Sequence, residues 1–120
     1  MEKPSLIQER SFGFALEIIK LYKELVTQNE FVLSKQILKS GTSVGANVEE
    51  ATAGQSKKDF IMKMSIASKE ARETRYWLRL LSVSGFIKKD FSRLLKEIEE
   101  IIKILTAIVK TSQKNLKVNS

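Results

Sequence analysis

The chain of 120 residues contains neither cysteine nor histidine. Without cysteine it can form no disulfide and offers no thiolate as a metal ligand or nucleophile. Without histidine it lacks both the commonest general base and the commonest metal ligand. Di-metal bundle sites built on Glu-x-x-His pairs, and nucleases that use an arginine and a histidine, are therefore excluded in their usual form. We expect no metal, no cofactor and no enzymatic activity.

Proline and long apolar runs are also scarce. One proline and five glycines imply few turns and long elements. The longest uncharged stretch, Ser40 to Val48, has nine residues and is about half polar, so no segment is predicted to cross a bilayer. The stretch from Met1 to Phe14 is interrupted by charges and lacks the apolar core of a signal peptide. These features predict a cytoplasmic protein.

Positive charge is what the chain has in excess. It carries 21 lysines and arginines against 14 aspartates and glutamates, a net charge of +7. A basic balance favours a polyanionic partner, either nucleic acid or an anionic membrane surface. Membrane binding is the weaker of the two, because the apolar helix faces are needed to build the core.

Four segments have helical hydrophobic periodicity, at about residues 6–26, 30–53, 57–84 and 90–111. The third has a heptad-like seam, begins after an N-cap candidate at Ser56 and stops at Gly85. Short turns between the helices favour antiparallel neighbours. We predict an all-α, antiparallel up-and-down four-helix bundle over residues 1–111, followed by a flexible basic tail at 112–120.

A segment rich in small residues lies inside the second helix. Gly41 and Gly45 each cost about 1 kcal/mol of helix propensity, so the helix is expected to approach a neighbour closely or to bend there. Ser43, Asn47 and Glu50 fall on one helix face together with Ser40. They could line a functional groove. We favour a structural or assembly role, as a buried polar network in which Glu50 meets a cation such as Arg72 or Arg75 of the third helix.

The third helix also has a basic stripe. Residues 57 to 79 hold seven basic and three acidic side chains. Candidate phosphate contacts, with a tyrosine that could stack on an unpaired base, are Lys58, Lys69, Arg72, Arg75, Arg79 and Tyr76. The alternative is a solvated face in which Lys69 and Arg72 pair with Glu73 and Glu70 of the same helix, or with acids on a neighbour. An enzyme using Glu50 or Glu73 would need a concave pocket and a carboxylate of raised pKa.

Two motifs resemble a known family. Ser43 to Ala51 resembles a Ser-Ile-Pro-Ala-Asn-Ile-Ala-Glu-Gly signature, and the run from Asp59 to Leu78 resembles the segment that follows it. The family is that of bacterial proteins encoded in intervening sequences of large-subunit ribosomal RNA genes. The signature departs at Gly45, where proline is common, at Glu49, where alanine is common, and at Ala51, where glycine is common.

The resemblance implies a four-helix bundle that assembles into a homopentamer. It extends to the accessory variability determinant of diversity-generating retroelements, a basic pentamer that acts with a reverse transcriptase and its RNA. By this analogy the chain would bind nucleic acid, RNA rather than DNA, and could have a protein partner such as a reverse transcriptase. The alternative is a protein-binding scaffold with no role in nucleic-acid binding.

Overall fold

In a computed structural model, which describes residues 4 to 118, this part of the chain folds into four helices with no strand. The helices are α1 (Leu6–Thr27), α2 (Leu33–Thr52), α3 (Lys57–Ser84) and α4 (Ser92–Val118). Each helix packs against its neighbours in sequence, and α1 also contacts α4, which closes a ring around one core. The prediction of an all-α four-helix bundle is confirmed.

The packed helices are antiparallel. In each packed pair, residue numbers increase along one helix while those of the contacting residues decrease along the other. The side-chain contacts between α2 and α3 and between α1 and α4 show this: Ser40–Thr74, Glu50–Lys63, Arg10–Glu100 and Glu17–Arg93. Arg72 and Arg75 of α3 contact Thr106 and Glu99 of α4 in the same opposed order, which places the start of α3 beside the end of α4.

One continuous apolar core fills the ring. The heptad-like seam of α3 is buried as its spacing predicts, at Met64, Ala67, Ala71, Thr74, Leu78 and Leu81. Phe60, which the same pattern includes, is half-buried. Full burial of a leucine or isoleucine contributes about 1.5–3 kcal/mol, so these stripes determine the fold more strongly than helix propensity does.

Close approach of α1 and α2 explains the glycines of α2. A Cβ added at Gly41 would lie 2.8 Å from Cγ2 of Ile18, and one at Gly45 would lie 3.4 Å from the backbone oxygen of Ser11. Ile18 is fully buried, and its side chain occupies the space that a side chain at position 41 would need. The predicted close contact at this segment is confirmed.

Local hydrogen bonds and backbone conformation set the limits of several helices. The Ser56 hydroxyl accepts a hydrogen bond from the Asp59 N–H at 3.1 Å and caps α3. Gly85, with φ of 67°, ends that helix in the left-handed conformation. Ser5 and Gln8 form a capping box at the start of α1.

The start of α2 is later than predicted, at Leu33 instead of residue 30. Glu30 lies outside the helix, and its carboxylate accepts hydrogen bonds from the N–H groups of Val32, Leu33 and Ser34. Burial by itself would raise the pKa of Glu30, but these backbone donors outweigh it and the pKa is lowered. Glu30 therefore serves as the anionic cap of α2.

The start of α4 is also displaced, from residue 90 to Ser92. Oδ1 of Asp90 accepts a hydrogen bond from the Ser92 N–H at 2.9 Å. This bond lowers the pKa of Asp90 and makes it a cap in front of the helix.

The prediction of a loose tail from residue 112 is wrong for residues 112 to 118, which continue α4. This segment contains no glycine or proline, and Ile108, Ser112 and Leu116 recur at a spacing of four on a half-buried face. The helix therefore gains side-chain contact for two further turns. Residues 119 and 120 of the predicted tail, like residues 1 to 3 of the predicted bundle, lie outside the described part of the chain.

Candidate nucleic-acid interface

The predicted basic stripe lies on the face of α3 that points away from the core. Lys58, Lys69, Arg72 and Arg79 are all exposed. Lys58 and Arg79 are separated by roughly 32 Å along the helix at 1.5 Å per residue. A row of exposed cations of this length can follow a phosphate backbone, since contacts to phosphate need charge and reach but little shape.

Tyr76 lies within this row with 55% of its surface exposed. Its ring meets that of the half-buried Trp77 edge to face, with centroids 5.3 Å apart and planes at 65°. Trp77 also packs against the core. The tyrosine ring is thus braced against a fixed neighbour while much of its surface stays open, an arrangement suited to stacking on an unpaired base.

Arg75 differs from the other members of the stripe. It is half-buried, and its Nη1 lies 3.2 Å and 3.3 Å from the two carboxylate oxygens of Glu99 on α4. The ion pair cancels the charge that Arg75 would add to the face. Arg72 also reaches toward α4, but its Nη2 donates to the neutral hydroxyl of Thr106 at 3.2 Å, so its charge is retained.

The alternative pairing of the stripe with acids on its own helix is not observed. Within residues 4 to 118, neither Lys69 nor Arg72 forms an ion pair with Glu70, with Glu73 or with an acid of another helix. The pKa of Glu70 is raised, mainly by burial and then by the neighbouring Glu73, and the lysines nearby only partly offset this. Such an acid pair repels phosphate, and it marks the edge of the basic face.

A lysine-lined groove lies beyond one end of the stripe, where the start of α3 meets the end of α4. It has a volume of about 650 Å³ and includes Lys58 of the stripe. Its other lining residues are Ile61, Met62, Lys110, Gln113, Lys114, Leu116 and Lys117. The sequence reasoning missed this groove because it assigned residues 112–120 to a tail. The spacing of Lys110, Lys114 and Lys117 at four and three residues is the signal that a helix would have placed on one face.

The predicted polar line on α2 is only partly a network. Ser43 donates to the backbone oxygen of Lys39 at 2.7 Å, and Asn47 donates to that of Ser43 at 2.8 Å. Both side chains are half-buried and are bonded within their own helix. The buried polar contact between helices is made by Ser40 instead, whose hydroxyl accepts from Thr74 at 2.9 Å.

The expected contact of Glu50 with Arg72 or Arg75 is wrong. Glu50 is exposed, and its Oε2 lies 2.9 Å from Nζ of Lys63. The antiparallel register explains the difference, since it sets residue 50 opposite the first half of α3 and sets the two arginines opposite α4. Glu50 is therefore part of a surface ion pair.

The acidic side chains form no site for a cation in the part of the chain that is described. No three of them lie close enough to hold a metal ion between residues 4 and 118. Over the same range, no helix combines the length and the apolar character that a bilayer crossing requires.

Comparison with known proteins agrees with the sequence motifs. The family model described as 23S rRNA-intervening sequence protein matches residues 3–107. A protein with unknown function from the S23 ribosomal protein family of Bacteroides thetaiotaomicron VPI-5482 has a crystal structure that matches with 48% identity and a TM-score of 0.85, covering 88% of this chain and 99% of that chain. No curated protein matches. The chain belongs to the family of 23S rRNA-intervening sequence proteins.

Proposed function

We propose that this protein is a non-enzymatic, cytoplasmic RNA-binding protein that works as a homo-oligomer. The single observation that carries the proposal is the exposed row of cations on α3, with Tyr76 between them. The proposed phosphate contacts are Lys58, Lys69, Arg72 and Arg79. Arg75 is left out, because Glu99 already neutralises it.

RNA is favoured over DNA for two reasons. The row has an exposed aromatic ring, and sequence-tolerant stacking on splayed bases is a common mode of binding to single-stranded or looped RNA. The family's link to ribosomal RNA genes supports the same choice as an analogy.

Self-association is supported by α1. Phe12, Leu16 and Ile19 lie on one face at a spacing of four and three, with 66%, 47% and 36% of their surfaces exposed. Exposure of such an apolar strip to water costs free energy, and this cost is removed when a second copy of the chain covers the strip. Several copies would present several basic rows to one RNA, which raises the overall affinity without any new contact. Five copies are what the family resemblance implies.

The test is a fluorescence-anisotropy titration against structured RNA, single-stranded RNA and duplex DNA at several salt concentrations. For about four phosphate contacts per protomer we expect the logarithm of the affinity for single strands to fall with a slope of roughly −3 against the logarithm of salt. RNA should bind more tightly than DNA. Flat titrations at low salt, or tighter binding to DNA, would contradict the proposal.

A matched pair of substitutions on one helix sharpens this test. Arg79→Gln should weaken RNA binding several-fold and reduce the salt slope by about 0.7 to 0.9, because one phosphate contact is lost. Arg75→Gln makes the same chemical change one turn away, where the charge is already paired, and should leave the slope unchanged. Equal effects of the two substitutions would show that overall charge, and not this face, determines binding.

A protein-binding scaffold is the second candidate, and one observation favours it. Large apolar side chains are exposed at the end of the bundle that holds the α1–α2 and α3–α4 connections: Phe31, Val32, Val83 and Phe86. Exposed apolar patches mark protein contacts. Absence of RNA binding together with capture of a protein partner through this end would favour the scaffold.

A further inference from the structure

The groove between the first turns of α3 and the last turns of α4 combines two properties that a polyanion alone does not require. Its floor is apolar, with Ile61, Met62 and Leu116 as contributors, and Met62 has 53% of its surface exposed to solvent. Its rim is cationic. Phosphodiester groups would bind the lysines but would gain nothing from the apolar floor. The combination of an apolar floor with a cationic rim is therefore an observation separate from the basic stripe.

Three lysines of the rim, Lys58, Lys110 and Lys114, carry charge that no acidic side chain in the described part of the chain compensates. Among the residues that line the groove none is acidic, and in the chain from 4 to 118 no ion pair involves Lys58, Lys110 or Lys114. The two helix dipoles oppose one another here, since α3 begins where α4 ends. The lysines therefore set a positive potential over an apolar surface.

The dimensions select the size of the ligand. The volume of about 650 Å³ falls within the range of roughly 300–1,000 Å³ that is typical of small-molecule sites. Lys110 and Lys117 are about 10 Å apart along α4 at 1.5 Å per residue. A stable protein interface needs about 800 Å² per partner, far more than a groove of this length offers, so a small ligand fits better than a docked protein.

We propose that this groove binds a small, soluble anionic amphiphile, that is, a carboxylate, sulfonate or phosphate ester whose unbranched apolar body is about as long as the roughly 10 Å between Lys110 and Lys117. The apolar body lies on Ile61, Met62 and Leu116. The anionic head is held by Lys58, Lys110 or Lys114. This site is distinct from the exposed row of α3 except for Lys58, which belongs to both.

Isothermal titration calorimetry with decanoate, below its critical micelle concentration and at pH 8, tests the proposal. Decanoate should bind in the calorimeter, whereas decanol, acetate and decyltrimethylammonium, which lack the charge, the chain or the correct sign of charge, should each bind at least about tenfold more weakly. Equal binding of decanol and decanoate would overturn the role of the lysines. Binding only to anionic lipid vesicles or only to acidic peptides, and not to free decanoate, would overturn the proposed ligand class.

Two variants with matched controls locate the site. Met62→Gln keeps the size and charge of an exposed side chain but removes its apolar contact, and Lys114→Gln removes one cation. Each substitution should weaken decanoate binding about tenfold. An apolar residue and a lysine at the far end of the bundle serve as controls, and Val83→Gln and Lys35→Gln should alter decanoate binding less than about twofold. Equal effects of the near and far variants would overturn the location.

The two proposals fail separately. Met62→Gln should leave RNA binding unchanged, since it alters no charge, and Arg79→Gln should leave decanoate binding unchanged, because Arg79 lies toward the other end of α3. Loss of RNA binding with decanoate binding intact would remove the proposed function alone. Loss of decanoate binding with RNA binding intact would remove the groove ligand alone.

Discussion

Two helical glycines have opposite surroundings, and this difference decides what a methyl group would do at each. A Cβ at Gly41 would meet Cγ2 of the buried Ile18 at 2.8 Å, whereas a Cβ at Gly13 would meet nothing within 4 Å. Alanine has a helix propensity about 1 kcal/mol better than glycine. That gain is available at Gly13, but at Gly41 it competes with overpacking.

We expect Gly41→Ala to lower the free energy of unfolding by up to about 2 kcal/mol, because overpacking of a filled core costs about 1–3 kcal/mol and the better helix propensity of alanine offsets about 1 kcal/mol of this. The control, Gly13→Ala, should raise it by up to about 1 kcal/mol. Urea unfolding followed by circular dichroism measures both. Stabilisation by Gly41→Ala would mean that α1 and α2 are farther apart than this structure places them.

Glu30 gives stability a specific dependence on pH. Its pKa is lowered in the folded protein, so the unfolded chain binds the proton more readily. The contribution of its carboxylate is therefore fully present above the unfolded pKa and is lost as the pH falls through the folded pKa. Glu30→Gln should cost about 1 kcal/mol at pH 7, a usual cost for a lost cap, and the difference from wild type should shrink as pH falls below about 4. A constant difference from pH 7 to pH 3 would contradict this role.

Residue-level signals were readable where the chemistry is local and common. Ser56 and Gly85 are standard residues for a helix start and stop, and both act as predicted. Glu30 was missed because glutamate is not a preferred N-cap, and only the path of the backbone brings three N–H groups to its carboxylate. Glu50 was paired wrongly, because sequence spacing does not fix which part of a neighbouring helix lies opposite.

At the scale of elements, hydrophobic spacing determined α3 well and α4 incompletely. The seam of α3 is long, regular and bounded by clear end signals, so both its limits were predicted. The last turns of α4 are mostly polar, but Leu116 is half-buried and lines the same groove as Ile61 and Met62 at the start of α3. Hydrophobic periodicity does not predict which parts of two helices meet, and for this reason it did not predict the lysine-lined groove.

The extension of α4 can be tested by amide hydrogen exchange. Amides of residues 112 to 116 should be protected relative to an unstructured peptide, although less than those of the core turns near Ile101, because helix ends open locally. Leu116→Gly should remove this protection, whereas Asn115→Ala, at an exposed position, should keep it. Exchange at the unstructured rate throughout residues 112–116 in wild type would restore the predicted tail.

At the scale of the whole molecule, the exposed strip of α1 predicts assembly. Phe12→Ser with Leu16→Ser should reduce the molar mass measured by light scattering to that of a smaller species, because the shared apolar surface is removed. Both positions are exposed, so the far-ultraviolet circular dichroism should be retained. The same changes at Val83 and Phe86 serve as controls and should leave the mass unchanged. A monomeric wild-type protein would contradict the proposed homo-oligomer.

The four sides of the ring are not equally strong, and this has a consequence for its motion. The α1–α4 side has the smallest contact of the four, and surface ion pairs that join Arg93 to Glu17 at 2.8 Å and Lys89 to the Glu24 side chain at 3.3 Å span the two halves. Exposed ion pairs each contribute at most about 1 kcal/mol and weaken with salt. We therefore expect local opening to occur first between α1 and α4. The α1–α2 and α3–α4 hairpins would then move apart while the strongly packed α2–α3 contact is kept.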